Sequence, residues 1–372
     1  MSKLRERFKA IGPKRILSLD GGGIRGILTL GFLEEMEHIL REKTKNPKLK
    51  LCDYFDLIGG TSTGSIIAAS LAIGLSASDV KKSYFELSRS VFGKKKNLIH
   101  YLLRGEKYDP RPLDKALQDQ AGNILIGDDD RIKTGLCVMT KRADTFSTWP
   151  VFNHPDGKYF HKNKDIPLWK LLRASAAAPT YFMPVELEIS EGEKGVFIDG
   201  GISLVNNPSF YLLLIATLSG FPFKWKTGKD DIQLVSVGTG FKPNRFKTSD
   251  FENKGVLSWA GKLPEYFFHD ANTLNQLLLQ VLSDSPTAVE IDSEFGDLKS
   301  DSLFGQYALT YLRYNVTLDK ETLGLLGFDL SEKQLGTIGE MDLVENMELL
   351  AKIGAAAAKV YMKEEHFSDV FL

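Results

Sequence analysis

The chain has 372 residues, of which 43% are hydrophobic and 26% are charged, the composition of a folded globular protein. Lys and Arg (47) nearly balance Asp and Glu (48), so the overall charge favours neither a nucleic-acid polymer nor an anionic membrane as partner. Two cysteines, Cys52 and Cys137, lie beside apolar residues and predict buried, reduced thiols rather than a disulfide framework.

The amino terminus, residues 1–14, is basic and has no apolar stretch of the kind found in secretory signals. The apolar runs, such as residues 65–75, are too short to span a bilayer. We therefore expect a cytoplasmic protein that approaches any membrane from the aqueous side and contacts it peripherally.

Two strand–loop–helix units open the chain. Residues 15–19 form an apolar run that leads into a glycine loop and then into a segment of helical periodicity. Residues 54–58 repeat the pattern, with a helix over 65–73 and another that begins at Ser76. Further strands are predicted at 132–140, 196–198 and 232–237, with an edge strand at 311–318, and further helices at 113–121, 207–219, 255–282 and 343–362. Alternating strands and helices favour an α/β fold with a mostly parallel central sheet, covered by helices on both faces.

The sharpest motif is Gly60-Thr61-Ser62-Thr63-Gly64, a Gly-x-Ser-x-Gly pattern between an apolar strand and a small-residue helix. In a nucleophile elbow this pattern exposes the serine hydroxyl at a sharp turn, and the flanking glycines remove steric clashes. Ser62 is therefore the candidate nucleophile. The alternative is a tight strand–helix turn without chemistry.

The second motif is Asp20-Gly21-Gly22-Gly23-Ile24-Arg25-Gly26, in which consecutive backbone N–H groups can converge on an anion. It also matches the Gly-x-Gly-x-x-Gly loop of dinucleotide-binding proteins. That interpretation requires an acidic residue at a strand end about 20 residues later, where this chain has the charged end of a helix. An oxyanion hole needs no such residue.

The third motif is Asp199-Gly200-Gly201, which follows the apolar strand 196–198. If that strand runs parallel to the first two, all three motifs meet at one edge of the sheet. Histidine is the usual base for a catalytic serine, but only His269 and His366 follow Asp199. Neither occupies a short loop after a late strand, so a histidine triad is disfavoured.

Together these three motifs resemble those of the patatin-like phospholipases. That family has an Asp-Gly-Gly-Gly-x-Arg-Gly loop, a Gly-Thr-Ser-x-Gly elbow and an Asp-Gly-Gly or Asp-Gly-Ala turn, and residues 173–182 and 238–240 also fit. The resemblance covers residues 15–240, with 241–372 as a helical carboxyl-terminal extension of a single domain, 1–372. It implies a patatin-like fold.

The resemblance also implies a phospholipase A type of acyl hydrolase that needs neither metal nor cofactor. Ser62 would attack the ester while Asp199 transfers the proton, and the amides of Gly21, Gly22 and Gly23, with Arg25 nearby, would hold the oxyanion. A resemblance to anti-phage effectors implies activation by a cyclic di- or trinucleotide.

Several alternatives stay open. The chain is also compatible with a constitutive carboxylesterase or galactolipid hydrolase, a peptidase, or a non-catalytic protein that binds lipid or nucleotide. Residues 92–105 and 221–225 combine basic and apolar side chains, as at a membrane surface or simply at a solvated charge run beside a core helix. Residues 93–105 and 241–282 are candidates to cover the site. The sequence leaves open whether the chain forms a homo-oligomer.

Overall fold

A nine-stranded sheet forms the centre of the described part of the chain. The computed structural model describes residues 2–93, 106–190, 192–243 and 256–372. The strands are β1 (Lys14–Leu19), β2 (Leu57–Thr61), β3 (Gly135–Arg142), β4 (Thr148–Phe152), β5 (Val185–Ser190), β6 (Glu193–Asp199), β7 (Ile232–Val237), β8 (Ser283–Asp284) and β9 (Leu309–Tyr314). The helices are α1 (Lys3–Lys9), α2 (Gly26–Thr44), α3 (Leu51–Tyr54), α4 (Thr63–Ala72), α5 (Ala77–Phe92), α6 (Arg111–Ala121), α7 (Phe160–Asn163), α8 (Leu168–Ser175), α9 (Ser209–Thr217), α10 (Val256–Leu282), α11 (Lys320–Leu325), α12 (Glu332–Thr337) and α13 (Met347–Tyr361).

The strand order is β5-β6-β3-β2-β1-β7-β9-β8, and β4 also pairs with β3. The central strands β3, β2, β1, β7 and β9 are mutually parallel, which confirms the predicted α/β fold with a mostly parallel sheet. Because β1 and β2 are parallel neighbours, the loops that follow them emerge at the same edge.

Strand β6 departs from the predicted topology, because it is antiparallel to β3. Its pairing with β3 is limited to the last three residues of β3, and Asp199 lies opposite Thr140. The end of β6 therefore still reaches the edge where β2 ends, since Thr61 lies opposite Met139 on the other side of β3. Asp199 lies at the expected edge of the sheet, but the strand that carries it runs antiparallel to its neighbour β3.

One predicted strand boundary and one predicted strand position were also wrong. The strand predicted at 54–58 is β2, which extends through Gly59 and Gly60, while Tyr54 ends α3. The side chain of Leu212 fills the space where a Cβ of Gly59 would lie, so close packing explains glycine within this strand. The edge strand predicted at 311–318 is β9, which pairs with both β7 and the two-residue β8 and so lies inside the sheet.

The carboxyl-terminal helix α13 packs against α2, the helix that follows the glycine loop. Gly31 and Gly354 allow this approach, because a Cβ on either residue would collide with the opposite backbone. Leu350 and Ile353 share a buried core with Ile27. Residues from both the predicted 15–240 core and the 241–372 extension thus pack together.

Both cysteines are buried and neither forms a disulfide. Burial raises the pKa of the Cys52 thiol to about 11, so it stays protonated at neutral pH. In the described ranges, no helix combines the length and apolar character that crossing a bilayer requires.

Candidate active site

Ser62 occupies the turn between β2 and α4. Its backbone has φ 54° and ψ −126°, a conformation that non-glycine residues rarely adopt. The turn is tight enough to require glycine on both sides. A Cβ on Gly60 would collide with the carbonyl of Gly64, and a Cβ on Gly64 would collide with the carbonyl of Leu19. This is the geometry of a nucleophile elbow.

The Ser62 hydroxyl donates a hydrogen bond to Asp199 Oδ2 at 2.6 Å. The other carboxylate oxygen, Oδ1, accepts the N–H of Gly201 at 2.6 Å. Asp199 is 4% exposed, and burial raises its pKa to about 6, against the opposing effect of these two donors. The carboxyl group is therefore ionised at neutral pH and is a stronger base than a solvated aspartate.

The described histidines give Ser62 no proton acceptor. His38, His154, His161, His269 and His366 are described, and none of them lines the pocket that contains Ser62. The side chain of His269 is 53% exposed on α10, and His366 contacts the hydroxyl of Tyr314. His100 lies outside the described residues.

The glycine loop offers fewer free amides than the sequence suggested. The N–H of Gly21 donates to the carbonyl of Asn206 at 3.0 Å, which removes Gly21 from the predicted oxyanion donors. The N–H of Gly22 makes only a long bond, 3.3 Å, to the Thr63 hydroxyl. The N–H of Gly23 has no acceptor among the described residues, and both Gly22 and Gly23 line the pocket.

Arg25 is not among the residues that line the pocket, which argues against its predicted contact with the oxyanion. It is 6% exposed and its Nε has no hydrogen-bond partner in the described structure. Asp20 instead pairs with Arg313, at 2.6 and 3.0 Å. Burial lowers the pKa of Arg25 to about 10, so it remains a cation and supplies positive potential at short range.

Close packing accounts for the remaining glycines of the three motifs. A Cβ on Gly26 would collide with the ring of Tyr84, and one on Gly200 would approach the carbonyl of Met139. A Cβ on Gly201 would lie 3.0 Å from Asp199 Oδ1. These contacts explain why glycine occupies these three motif positions.

Ser62 and Asp199 open into a mainly apolar pocket of about 910 Å³. Its apolar lining comes from helices α4, α5, α6 and α10, from residues 176–182 after α8, from residues 200–204 after Asp199 and from the segment before α13. These residues include Ile66, Leu87, Val91, Phe92, Leu113, Phe182, Ile202, Leu204, Leu263, Phe267, Leu274 and Met341. Sequence reasoning missed this lining, because its residues come from distant parts of the chain without a shared motif.

The predicted cover from 241–282 is partly observed, since α10 lines the pocket. The other segment predicted to cover the site is 93–105. Its residues 94–105, which include the basic run Lys94-Lys95-Lys96, lie outside the described residues. The second aromatic candidate, residues 221–225, packs inward instead: Phe223 and Trp225 are 7% and 8% exposed. Their burial argues against a membrane role for that segment.

Residues 17–213 match the family model described as patatin-like phospholipase, which is more than half of the chain. The chain belongs to the patatin-like phospholipase family. The matched range contains Ser62, Asp199 and the glycine loop.

Relatives in this family come from bacteria and plants. A cGAMP-activated phospholipase of Vibrio cholerae is 34% identical over 60% of this chain and 64% of its own length. One from Escherichia coli is 31% identical over 60% of this chain and 62% of its own length. The match thus spans less than two thirds of either bacterial relative. Patatin-17 of Solanum cardiophyllum is 26% identical over 94% of this chain and 85% of its own.

The loop geometry predicts the effect of Gly22→Ala. The added methyl group would collide with the side chain of Thr239 behind the loop, so the loop must move relative to Ser62. The backbone angles are not the obstacle, because φ is 176°. We expect turnover of an ester substrate to fall by about two to three powers of ten, the loss typical of a displaced oxyanion donor. Steady-state kinetics measure this, and an unchanged KM separates a displaced donor from lost substrate binding.

Proposed function

We propose that this protein hydrolyses fatty-acyl esters of membrane phospholipids through a Ser62–Asp199 dyad. The observation that carries the proposal is the 2.6 Å hydrogen bond from the Ser62 hydroxyl to Asp199 beside a large apolar pocket. As Ser62 attacks the ester carbonyl, Asp199 takes its proton and then passes it to the leaving alcohol. Water attacks the acyl-Ser62 ester with Asp199 again as base, which releases the fatty acid and restores the serine.

The tetrahedral oxyanion requires donors on the side of Ser62 that faces the pocket. The N–H groups of Gly22 and Gly23 are the candidates, since both residues line the pocket and neither N–H has a strong protein acceptor. The amino terminus of α4 and the buried cation of Arg25 add positive potential.

The mouth of the pocket supports a membrane substrate. Several large apolar side chains both line the pocket and remain exposed, which is unusual for a soluble surface unless it binds a partner. They are Ile202 at 52%, Leu204 at 60%, Leu263 at 47%, Phe267 at 69% and Leu274 at 48% exposed. We call these five residues the apolar rim. We propose that the rim rests on the bilayer from the cytoplasmic side, so that an acyl chain passes into the pocket without crossing water.

Phe267→Ser should separate bilayer contact from chemistry. We expect hydrolysis of phospholipid vesicles to fall about tenfold, because burying a phenylalanine side chain contributes roughly 1.5–3 kcal/mol. Hydrolysis of a short, soluble ester should change less than twofold. The control is Phe304→Ser, since Phe304 is similarly exposed (72%) but lies outside the pocket lining. Equal losses on both substrates would contradict a role in membrane contact.

We also propose activation by a cyclic nucleotide, with antiviral defence as its setting. The bacterial relatives are named as cGAMP-activated phospholipases, and a cytoplasmic enzyme that degrades membranes would need to be held inactive. A nearly complete switch requires the nucleotide to bind the active arrangement about 10⁴-fold more tightly than the resting one.

One experiment tests substrate and activator together. Purified protein is incubated with a bacterial lipid extract, with and without each of a panel of cyclic di- and trinucleotides, and the products are read by mass spectrometry. We expect free fatty acids and lysophospholipids to accumulate much faster with one nucleotide. Full activity in nucleotide-free protein would contradict activation. Hydrolysis of soluble esters or galactolipids alone would favour the carboxylesterase alternative, and binding without hydrolysis would favour a non-catalytic protein.

A further inference from the structure

A buried serine outside the three motifs contacts the backbone of the nucleophile. Ser175, the last residue of α8, is fully buried. Its Oγ accepts the N–H of Ser62 at 2.9 Å and donates to the carbonyl of Met139 on β3 at 2.6 Å. The hydroxyl thus joins the elbow to the strand between β2 and β6.

The same short segment also holds the base. Two residues after Ser175, the carbonyl of Ala177 accepts the N–H of Asp199 at 3.0 Å. The nucleophile and the base come from strands on opposite sides of β3, and their backbones are both bonded to residues 175–177. This segment therefore fixes the spacing between Ser62 and Asp199.

The elbow needs such support because its backbone is strained. A non-glycine residue at φ 54° and ψ −126° persists only where its surroundings hold it. The carbonyl of Ser62 is held within α4, by the N–H of Ser65. Its N–H has Ser175 Oγ as its acceptor, so loss of that hydroxyl leaves a donor unpaired at the strained residue.

We propose that Ser175 is a positioning residue for catalysis, which sets the alignment of the Ser62 hydroxyl with Asp199 without contacting substrate. The inference rests on the proposed Ser62–Asp199 chemistry. Ser175 does not line the pocket, so its loss should slow the reaction and leave substrate binding intact. Misalignment of a catalytic group by about 1 Å can cost on the order of 100-fold in rate.

The test compares Ser175→Ala with Ser175→Thr, which keeps the hydroxyl, and with Ser70→Ala as matched control. Ser70 is also a buried serine whose Oγ donates to a backbone carbonyl, of Ile66, and accepts a side-chain N–H, of Gln120. Each variant is assayed for kcat and KM on an ester, for the rate of fluorophosphonate labelling and for the fraction of molecules labelled at completion.

For Ser175→Ala we expect kcat and the labelling rate to fall together by about 30- to 100-fold, with KM unchanged and complete final labelling. Ser175→Thr should recover most of the rate, and Ser70→Ala should match the parent. If Ser175→Ala does not fold, Ser175→Cys carries the same expectation, because a thiol is a weak acceptor.

A normal labelling rate in a reduced fraction of molecules would show a purely structural role and overturn the proposal, as would parental kinetics. These outcomes differ from failure of the proposed function, in which the parent protein itself is neither labelled nor active with any of the cyclic nucleotides.

Discussion

Replacement of Ser62 by alanine should abolish ester hydrolysis, with a loss of about four powers of ten or more. The variant removes the oxygen that forms the acyl-enzyme, and in the described structure no other hydroxyl donates to Asp199. The fold should be retained, because the hydroxyl makes a single hydrogen bond and the backbone of the turn is held by Ser175 and Ser65. Thermal unfolding of parent and variant measures this second expectation.

Labelling by a fluorophosphonate probe identifies the nucleophile directly. The parent should be labelled and Ser62→Ala should not. Ser203 is the appropriate control, because it lines the same pocket while its hydroxyl donates to the carbonyl of Gly200. Ser203→Ala should be labelled like the parent. Persistent labelling of Ser62→Ala would contradict the assignment.

Asp199→Asn should cause a comparable loss of activity, because the amide has nearly the same shape but cannot take the proton of Ser62. Asp270→Asn is the matched control, since Asp270 also lines the pocket but its side chain is 80% exposed and makes no contact with Ser62. His269→Ala and His366→Ala should retain substantial activity. A folded His269→Ala variant that is as inactive as Ser62→Ala would instead support a histidine triad.

The raised pKa of Asp199 predicts the pH dependence of the reaction. Because the ionised carboxylate is the active form, kcat/KM should be at about half its maximum near pH 6, level off by about pH 7 and fall about tenfold per pH unit well below pH 6. A rate that still rises about tenfold per pH unit between pH 7 and pH 8 would indicate a different base.

The same shift predicts a gain in stability for Asp199→Asn. Burial raises the pKa of this carboxyl from 3.8 to about 6, so the folded state holds its proton more tightly than the unfolded chain does. Stability from this group is present in full below about pH 4 and is lost as the pH rises through about 6. At pH 8 the neutral Asp199→Asn variant should unfold at a higher temperature than the parent, and the difference should shrink toward pH 4. Scanning calorimetry at both pH values measures this and separates lost chemistry from lost folding.

The amino-acid sequence by itself determined the elements whose signal is local. The Gly60–Gly64 elbow, the glycine loop and the Asp199 turn each combine an apolar strand with residues that the turn geometry requires. The mostly parallel sheet followed from alternating strands and helices. The fold class could therefore be predicted from these patterns, whereas the pairing of Ser62 with Asp199 was predicted only from the resemblance of the three motifs to those of the patatin-like phospholipases.

The tertiary structure decided what depends on the direction and packing of distant segments. The antiparallel course of β6 could not be predicted, since an apolar strand carries no signal of its direction. The N–H of Gly21 donates to the carbonyl of Asn206, and Arg25 is buried. Neither contact could be predicted from the glycine-loop motif. The apolar lining from α10 and the contact between Ser175 and Ser62 join residues far apart in sequence. Such contacts are set by packing, which a linear pattern of residue types does not encode.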